Sequence, residues 1–110
     1  MKNKLLIRIN NLLEIEDYYK EGITNFLFPL SCYSIGYNTF NLDEIKSIKE
    51  KYNINVYLFV NRVLDNKDCN NFKLIIPKLS FVNGIIYEDI AIYQMFKDTN
   101  INLIWNQAHF

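Results

Sequence analysis

A chain of 110 residues, half of them apolar and with 12 acidic and 12 basic side chains, is long enough for a single domain, residues 1–110, with a core of its own. This composition excludes a disordered chain, and without a basic block it gives no direct sign of nucleic-acid binding. No apolar run reaches the length of a membrane span, and Arg8 and Asn10 interrupt the amino-terminal run too early for a signal peptide.

The first part of the chain shows one β-type pattern followed by one helical pattern. Strand one is predicted at Lys4–Ile9, and the helix after it begins at a cap formed by Asn10 or Asn11. This helix runs to about Glu21, where Gly22 supplies a left-handed stop.

A second strand, Asn25–Pro29, leads into the loop Leu30–Phe40, which is longer than the roughly 2–6 residues usual for such connections. Asn41 and Glu44 then form a predicted capping box, in which each side chain bonds the backbone N–H of the other residue. Long loops over strand ends often bind ligands, and this loop offers Tyr37 among its hydrogen-bonding side chains.

The rest of the chain continues the alternation up to a fifth strand. The predicted elements are strand three at Asn55–Val60, helix three from about Asn66, strand four at Gly84–Tyr87, helix four at Ile90–Asp98 and strand five at Leu103–Trp105. Pro77 lacks a backbone donor, so helix three should kink or fray near its end.

Alternation of this kind predicts an α/β fold with a parallel sheet covered by helices. We expect a partial (β/α) barrel of the TIM type, with about five parallel strands in the order 1-2-3-4-5 and four helices. Because the sequence stops shortly after strand five, only about half of such a barrel is expected. A flavodoxin-like sheet fits the same alternation and would show the strand order 2-1-3-4-5.

Polar residues follow every predicted strand, at the edge where a (β/α) barrel forms its site. They are Asn10, Ser31, Asn61 with Arg62, Glu88 with Asp89, and Asn106 with Gln107. Glu88 is the leading candidate for a general base, and Asn61 and Gln107 complete the candidate catalytic set. Asp89 is better placed to cap helix four.

The candidate substrate-binding residues are Arg8, Arg62, Tyr37, Asn106 and His109. An arginine suits forked binding of a carboxylate or phosphate, and His109, as the single histidine, is the natural proton shuttle. We expect Arg8 to point into the barrel, paired with Glu88, Asp89 or a ligand carboxylate; the alternative is that it is solvated on an exposed edge strand. Alternatively, Arg62 is a surface residue without a binding role, and His109 lies in a frayed chain terminus.

Two cysteines, Cys32 and Cys69, stand apart without metal-ligand spacing. They are typical of reduced thiols in a cytoplasmic protein. We therefore predict no metal site and no cofactor within this chain. The abundance of Asn, Ile and Lys fits the AT-rich coding of some bacteria.

A series of short motifs runs through almost the whole chain. It comprises residues Glu21–Asn25, Ser34–Asn38, Phe40–Ile45, Ile54–Arg62, Asn83–Ile90 and Asn106–Gln107. Their order and spacing resemble the first half of the peptidase U32 family, also called collagenase-like proteases, in which a Gly-Ala-Asp element precedes strand two and a late strand ends near Ser-Thr-Gln. This chain departs from that pattern at Gly22-Ile23-Thr24 and at Trp105-Asn106-Gln107.

The resemblance implies a (β/α) barrel. Larger members of the family carry a second half, often with clustered cysteines. An iron–sulfur cluster is therefore expected only if a missing carboxyl-terminal half supplies those cysteines. The resemblance also implies either peptide hydrolysis or oxygen-independent hydroxylation of RNA bases or quinone precursors, so it leaves the reaction open.

Two functions from different classes are consistent with these observations. The first is a U32-like peptide hydrolase, incomplete for catalysis alone, which acts on a peptide or a small molecule. The second is a non-catalytic binding or assembly module that self-associates through the two open edges of a half-barrel. In both cases the expected partner is a second copy of the chain or a missing carboxyl-terminal half.

Overall fold

In the computed structural model, strands and helices alternate along the chain, as the sequence predicts. The structure describes residues 5–31, 33–34, 38–60, 66–88, 90–96, 99 and 101–105. Its strands are β1 (Leu6–Arg8), β2 (Asn25–Pro29), β3 (Asn55–Val60), β4 (Gly84–Tyr87) and β5 (Asn102–Trp105). Its helices are α1 (Glu14–Lys20), α2 (Leu42–Lys51), α3 (Asn66–Ile75) and α4 (Ile90–Phe96).

All described strands lie parallel in one sheet, in the order β1-β2-β3-β4-β5. This order confirms the predicted 1-2-3-4-5 arrangement, and it shows that the flavodoxin-like alternative is wrong. β1 and β5 are therefore the edge strands of the described sheet. Closure of the sheet into a TIM-type barrel stays a prediction.

β1 is shorter than predicted. It covers Leu6–Arg8, whereas the prediction was Lys4–Ile9, of which Lys4 lies outside the described residues. The backbone N–H of Ile9 still donates to the carbonyl of Leu27 at 3.0 Å. An edge strand has hydrogen bonds on one side alone, so its ends lose regular pairing sooner than those of an inner strand.

The start of α1 differs from the expected cap, while its end agrees with the sequence. The helix begins at Glu14, and a turn precedes it in which the Asn11 side chain accepts a hydrogen bond from the N–H of Leu13 at 2.9 Å. Gly22 has the expected left-handed backbone, with φ of 92°. A side chain at this position would be strained, because L-residues rarely adopt positive φ.

Asn41 and Glu44 form the predicted capping box at the start of α2. Asn41 Oδ1 accepts from the N–H of Glu44 at 2.9 Å, and Glu44 Oε1 accepts from the N–H of Asn41 at the same distance. Two donors of the first turn are thereby satisfied. The end of α3 is also as predicted, since Pro77 converts the helix into a short 3-10 turn, Ile76–Leu79.

One face of the sheet packs against all the described helices and holds the hydrophobic core. The sheet contributes Phe26, Phe28, Val56, Leu58 and Ile85, and the helices contribute Ile15, Ile45, Phe72, Ile92 and Phe96, all without solvent exposure. Right-handed crossovers between strands in sequential order place every helix on the same side of a sheet. The topology thus accounts for a core on one face.

The opposite face of the sheet carries no helix within the described part of the chain. Side chains alternate along a strand, so this helix-free face is formed by Leu6, Arg8, Asn25, Leu27, Pro29, Asn55, Tyr57, Phe59, Gly84, Ile86, Asn102 and Ile104. None of its apolar side chains belongs to the core cluster of the covered face. Parallel sheets are normally covered on both faces, which makes this surface unusual for an isolated chain.

Candidate functional site

The loop between β2 and α2 lies across the carboxyl ends of the first three strands. The Ser34 hydroxyl donates to the carbonyl of Phe59 on β3, and Asn38 Nδ2 donates to the carbonyl of Asn10, beyond β1, at 3.1 Å. At the base of the loop, Leu30 and Phe40 form an isolated parallel bridge. The described loop residues therefore form one wall of the rim at which the strands end.

Aromatic contacts hold this loop against the core. The Tyr33 ring packs edge-on against Phe72 of α3, with ring centres 4.7 Å apart, and Phe40 packs in the same manner against Phe28, at 5.9 Å. Edge-to-face pairs of this kind stabilise by roughly 0.5–1.5 kcal/mol beyond their buried area. Ser34 is itself buried and its hydroxyl bonds a backbone carbonyl, so its role here is to position the loop.

Two of the predicted site residues lie at this rim within the described chain. Arg8 ends β1 and is exposed, and Glu88 directly follows β4 and is half-buried. Both stand at the carboxyl edge of the sheet, three strand positions apart. Arg8 is exposed on the edge strand β1, and whether a closed barrel encloses its charge stays a prediction.

The other predicted site residues fall outside the described residues. These are Tyr37, Asn61, Arg62, Asp89, Asn106, Gln107 and His109, and their assignments stay predictions. Within the part of the chain that the structure describes, no group of three or more His, Cys, Asp or Glu residues could hold a metal ion. Among the same residues, no helix combines the length and apolarity needed to cross a membrane.

The structure reveals a cavity that the sequence reasoning missed. It has a volume of about 240 Å³, lies on the helix-free face and is lined by Leu6, Asn25, Tyr57 and Ile104. In a flat sheet, β1 and β5 would be about 19 Å apart. Because residues of both edge strands line this one pocket, we infer that the sheet curves, with the helix-free face on its concave side.

An amide pair and an aromatic ring bound this cavity. Asn55 Nδ2 donates to Asn25 Oδ1 at 2.8 Å across β2 and β3. The Tyr57 ring lies over Gly84 of β4 so closely that a Cβ at position 84 would be 2.8 Å from two ring carbons. Gly84 therefore leaves room for a large ring on the concave side.

The described strand residues of the helix-free face are mostly uncharged. Arg8 is the one charged residue among the described strand residues of this face. The remaining side chains offer apolar area, amides and a phenol, which are groups that make apolar contacts and hydrogen bonds. The alternation of Asn25 with Phe26 and of Asn55 with Val56 is the sequence signal from which this face could have been found.

At the amino ends of the strands, Asn83 joins β3, β4 and α2. Its Oδ1 accepts from the N–H of Val56 at 2.8 Å and from Lys49 Nζ at 3.2 Å, while Lys49 Nζ also donates to the Ile54 carbonyl at 2.8 Å. This network fixes the end of the sheet opposite to the rim. Its role is structural, because its hydrogen bonds satisfy backbone groups of the sheet.

Comparison of the chain with protein-family models, with curated proteins and with solved structures gave no match. The resemblance to the peptidase U32 family therefore stays a prediction from the sequence.

Proposed function

We propose that this chain is an assembly module, which contributes five strands and a rim to a larger β/α structure. The observation that carries the proposal is the helix-free concave face. Parallel sheets are normally covered by helices or another sheet on both faces, and here the described helices cover one face. The role of the module is to present the other face and its edges to a partner.

Exposed apolar side chains on both edge strands support this proposal. On β1, Leu6 retains 37% of its accessible surface, and on β5, Ile104 retains 40%. Full burial of such a side chain stabilises by about 1.5–3 kcal/mol relative to full exposure. Part of that gain is still available to an association that covers the face.

The edge of β5 also lacks the features that prevent pairing. Edge strands of monomeric proteins commonly carry lysines, prolines or bulges, whereas Asn102–Trp105 contains neither a charge nor a proline. An uncharged, proline-free edge favours addition of another strand.

Polar substitution of the helix-free face tests the proposal. The double variant Leu6→Ser and Ile104→Ser should weaken association, measured by sedimentation equilibrium over a range of protein concentrations. The matched control is Leu13→Ser with Leu74→Ser, because these leucines are 82% and 74% exposed on the helical side. Equal association of both double variants, or a wild-type chain that is monomeric at every concentration, would contradict the proposal.

A second candidate function is catalysis at the rim, as a U32-like peptide hydrolase would perform it. The observation that favours it is that Ser34 and Asn38, from the described part of the Leu30–Phe40 loop, bond the ends of β3 and β1. Arg8 and Glu88 lie at the same edge of the sheet. In this proposal Glu88 acts as the general base, and Arg8 binds a substrate carboxylate.

A peptide-cleavage assay on the associated protein tests the second candidate. Glu88→Gln should abolish cleavage, because the amide cannot accept a proton, while Glu50→Gln on the exposed surface of α2 should leave it unchanged. Cleavage that survives Glu88→Gln would exclude Glu88 as the base, and no cleavage by the wild-type assembly would contradict peptide hydrolysis.

A further inference from the structure

We propose that Asn83 is a deamidation site, and that the hydrogen bonds at the amino ends of β3 and β4 control the reaction. Asn83 is the one asparagine of the sequence that a glycine follows. This inference does not rest on the assembly function, because it concerns the end of the sheet opposite to the rim.

Deamidation begins when the backbone nitrogen of the following residue attacks the side-chain amide. At this site the Gly84 nitrogen loses its proton and bonds Cγ of Asn83, and the amide nitrogen leaves as ammonia. Water then opens the five-membered imide. Cleavage of the bond to Cγ gives aspartate, and cleavage of the bond to the main-chain carbonyl carbon gives isoaspartate. Glycine favours the attack because it has no Cβ to obstruct the approach.

The fold requires each residue of this reactive pair for a separate reason. The amide oxygen at position 83 accepts from the N–H of Val56 at 2.8 Å and from Lys49 Nζ at 3.2 Å. At position 84, a Cβ would be 2.8 Å from two ring carbons of Tyr57 and 3.2 Å from the carbonyl oxygen of Asn102. Two independent structural demands therefore place an Asn-Gly pair at the start of β4.

The same hydrogen bonds oppose the reaction in the folded chain. Ring closure requires the Asn83 side chain to rotate until Cγ contacts the Gly84 nitrogen. The two donors instead hold Oδ1 toward β3 and α2, and the N–H of Asn83 donates to the carbonyl of Val56 at 2.8 Å. The reaction therefore needs this end of the sheet to open, and its rate follows the population of the open form.

The two products differ in their effect on the sheet. An aspartate carboxylate still accepts from Val56 and Lys49, so the fold keeps this end of the sheet. Isoaspartate adds one carbon to the backbone between Val82, which is buried in the core, and Gly84, which pairs with Tyr57. Because the two neighbours cannot both keep their places, this product prevents the strands from closing again.

Peptide mapping by mass spectrometry tests the inference on the full chain. Folded and guanidinium-denatured wild-type protein are incubated at the same mildly alkaline pH, and both products at position 83 are quantified over time. The folded chain should react at least about tenfold more slowly, because its open form alone reacts. Equal rates in the two states, or no product in the denatured chain, would contradict the inference.

Two lysine variants test the role of the hydrogen bonds. Lys49→Met removes one donor to Asn83 and should speed deamidation of the folded chain about two- to tenfold, the range that one net hydrogen bond gives. Lys46→Met, on the exposed surface of the same helix, should react like the wild type. In denaturant all three chains should react alike, and circular dichroism should show equal helix content before incubation. A folded Lys49→Met chain that reacts no faster than the wild type would show that these bonds do not control the reaction.

Refolding of the aged, denatured chain tests the consequence of the two products. The aspartate form should return to the folded fraction, whereas the isoaspartate form should remain outside it. Isoaspartate recovered in the folded fraction in proportion to its amount before refolding would overturn the assigned difference between the products.

Discussion

The two faces of the sheet differ in what covers them, although the same strands form both. On the covered face, Phe28 and Val56 have no solvent exposure, and the helices pack directly on them. On the helix-free face, Leu6 and Ile104 retain about two fifths of their accessible surface, 37% and 40%. The difference teaches that the described helices cover one side of the sheet and leave apolar side chains on the other side partly exposed.

This difference originates in the alternation of side chains along the central strands. In β2, Phe26 and Phe28 point to the helices while Asn25 and Leu27 point away from them. A shift of one residue in the register would exchange the two faces. The register of β2 with β3 therefore determines which residues form the helix-free face.

Phe72→Ala should produce the largest loss of stability, because Phe72 is fully buried on the covered face and its ring contacts both Tyr33 and Phe96. Truncation of a buried phenylalanine costs about 3–5 kcal/mol. Chemical denaturation at one fixed protein concentration measures the free energy of unfolding.

Leu74→Ala is the control for this prediction, since Leu74 lies on the same helix with 74% exposure. Its effect should stay within about 0.5 kcal/mol. Similar losses for both variants would show that α3 does not pack through Phe72, and the comparison of the two faces would fail.

The sequence could predict individual strands, caps and turns far better than the surroundings of the helix-free face. Short β-branched and aromatic runs mark Asn55–Val60 and Gly84–Tyr87, and local hydrogen-bonding chemistry marks the capping box at Asn41 and the turn at Gly22. These features depend on neighbours in the chain. They were therefore visible without the structure.

The surroundings of Arg8 and the cavity beside Tyr57 depend on contacts between distant residues. Whether Arg8 is enclosed or exposed depends on whether β1 has one neighbouring strand or two, which a single sequence does not state. Likewise, Asn83 reads as a loop residue, and its role arises because β3 and β4 begin beside each other. The sequence could predict that polar residues follow the strands, but it could not predict which residues they contact.

Asn83→Ala should cause the second largest loss of folding stability. It would extend the comparison to the amino end of the sheet. The substitution leaves the Val56 N–H and part of the Lys49 ammonium without an acceptor. An unsatisfied, partly buried group of this kind costs about 1–3 kcal/mol. Thermal or chemical unfolding measures the loss.

Asn83→Asp is the matched variant, because its carboxylate still accepts from both donors. It should recover most of the stability lost in Asn83→Ala. Equal destabilisation by both substitutions would show that the side-chain shape, and not the hydrogen bonds, determines the effect.

Gly84→Ala should cost less, about 1 kcal/mol, at the low end of what overpacking costs. The new methyl group would approach two ring carbons of Tyr57 to 2.8 Å, but the ring can move towards the neighbouring cavity. Tyr57→Leu should relieve part of this cost, so a double-mutant cycle should show a coupling of the two sites. Additive effects would indicate that the ring does not rest on Gly84, and the helix-free face would then be more open than the structure shows.

Glu16→Gln should have the smallest effect, because it alters the helical surface on which neither the core nor the proposed interface depends. The hydrogen bond from Lys20 Nζ to Glu16, at 3.1 Å, and the carboxylate charge raise the pKa of the Lys20 ammonium above its ordinary value of 10.5. A raised folded pKa means that the pair stabilises the fold below the unfolded pKa and loses this effect as pH rises through the folded pKa. Both side chains are mostly exposed, at 68% and 57%, so solvent screens the pair.

An NMR titration should show a lower Lys20 pKa in Glu16→Gln than in the wild type or in the control Glu50→Gln. Association should be unchanged. A change in association would mean that the helical side also contributes to the interface.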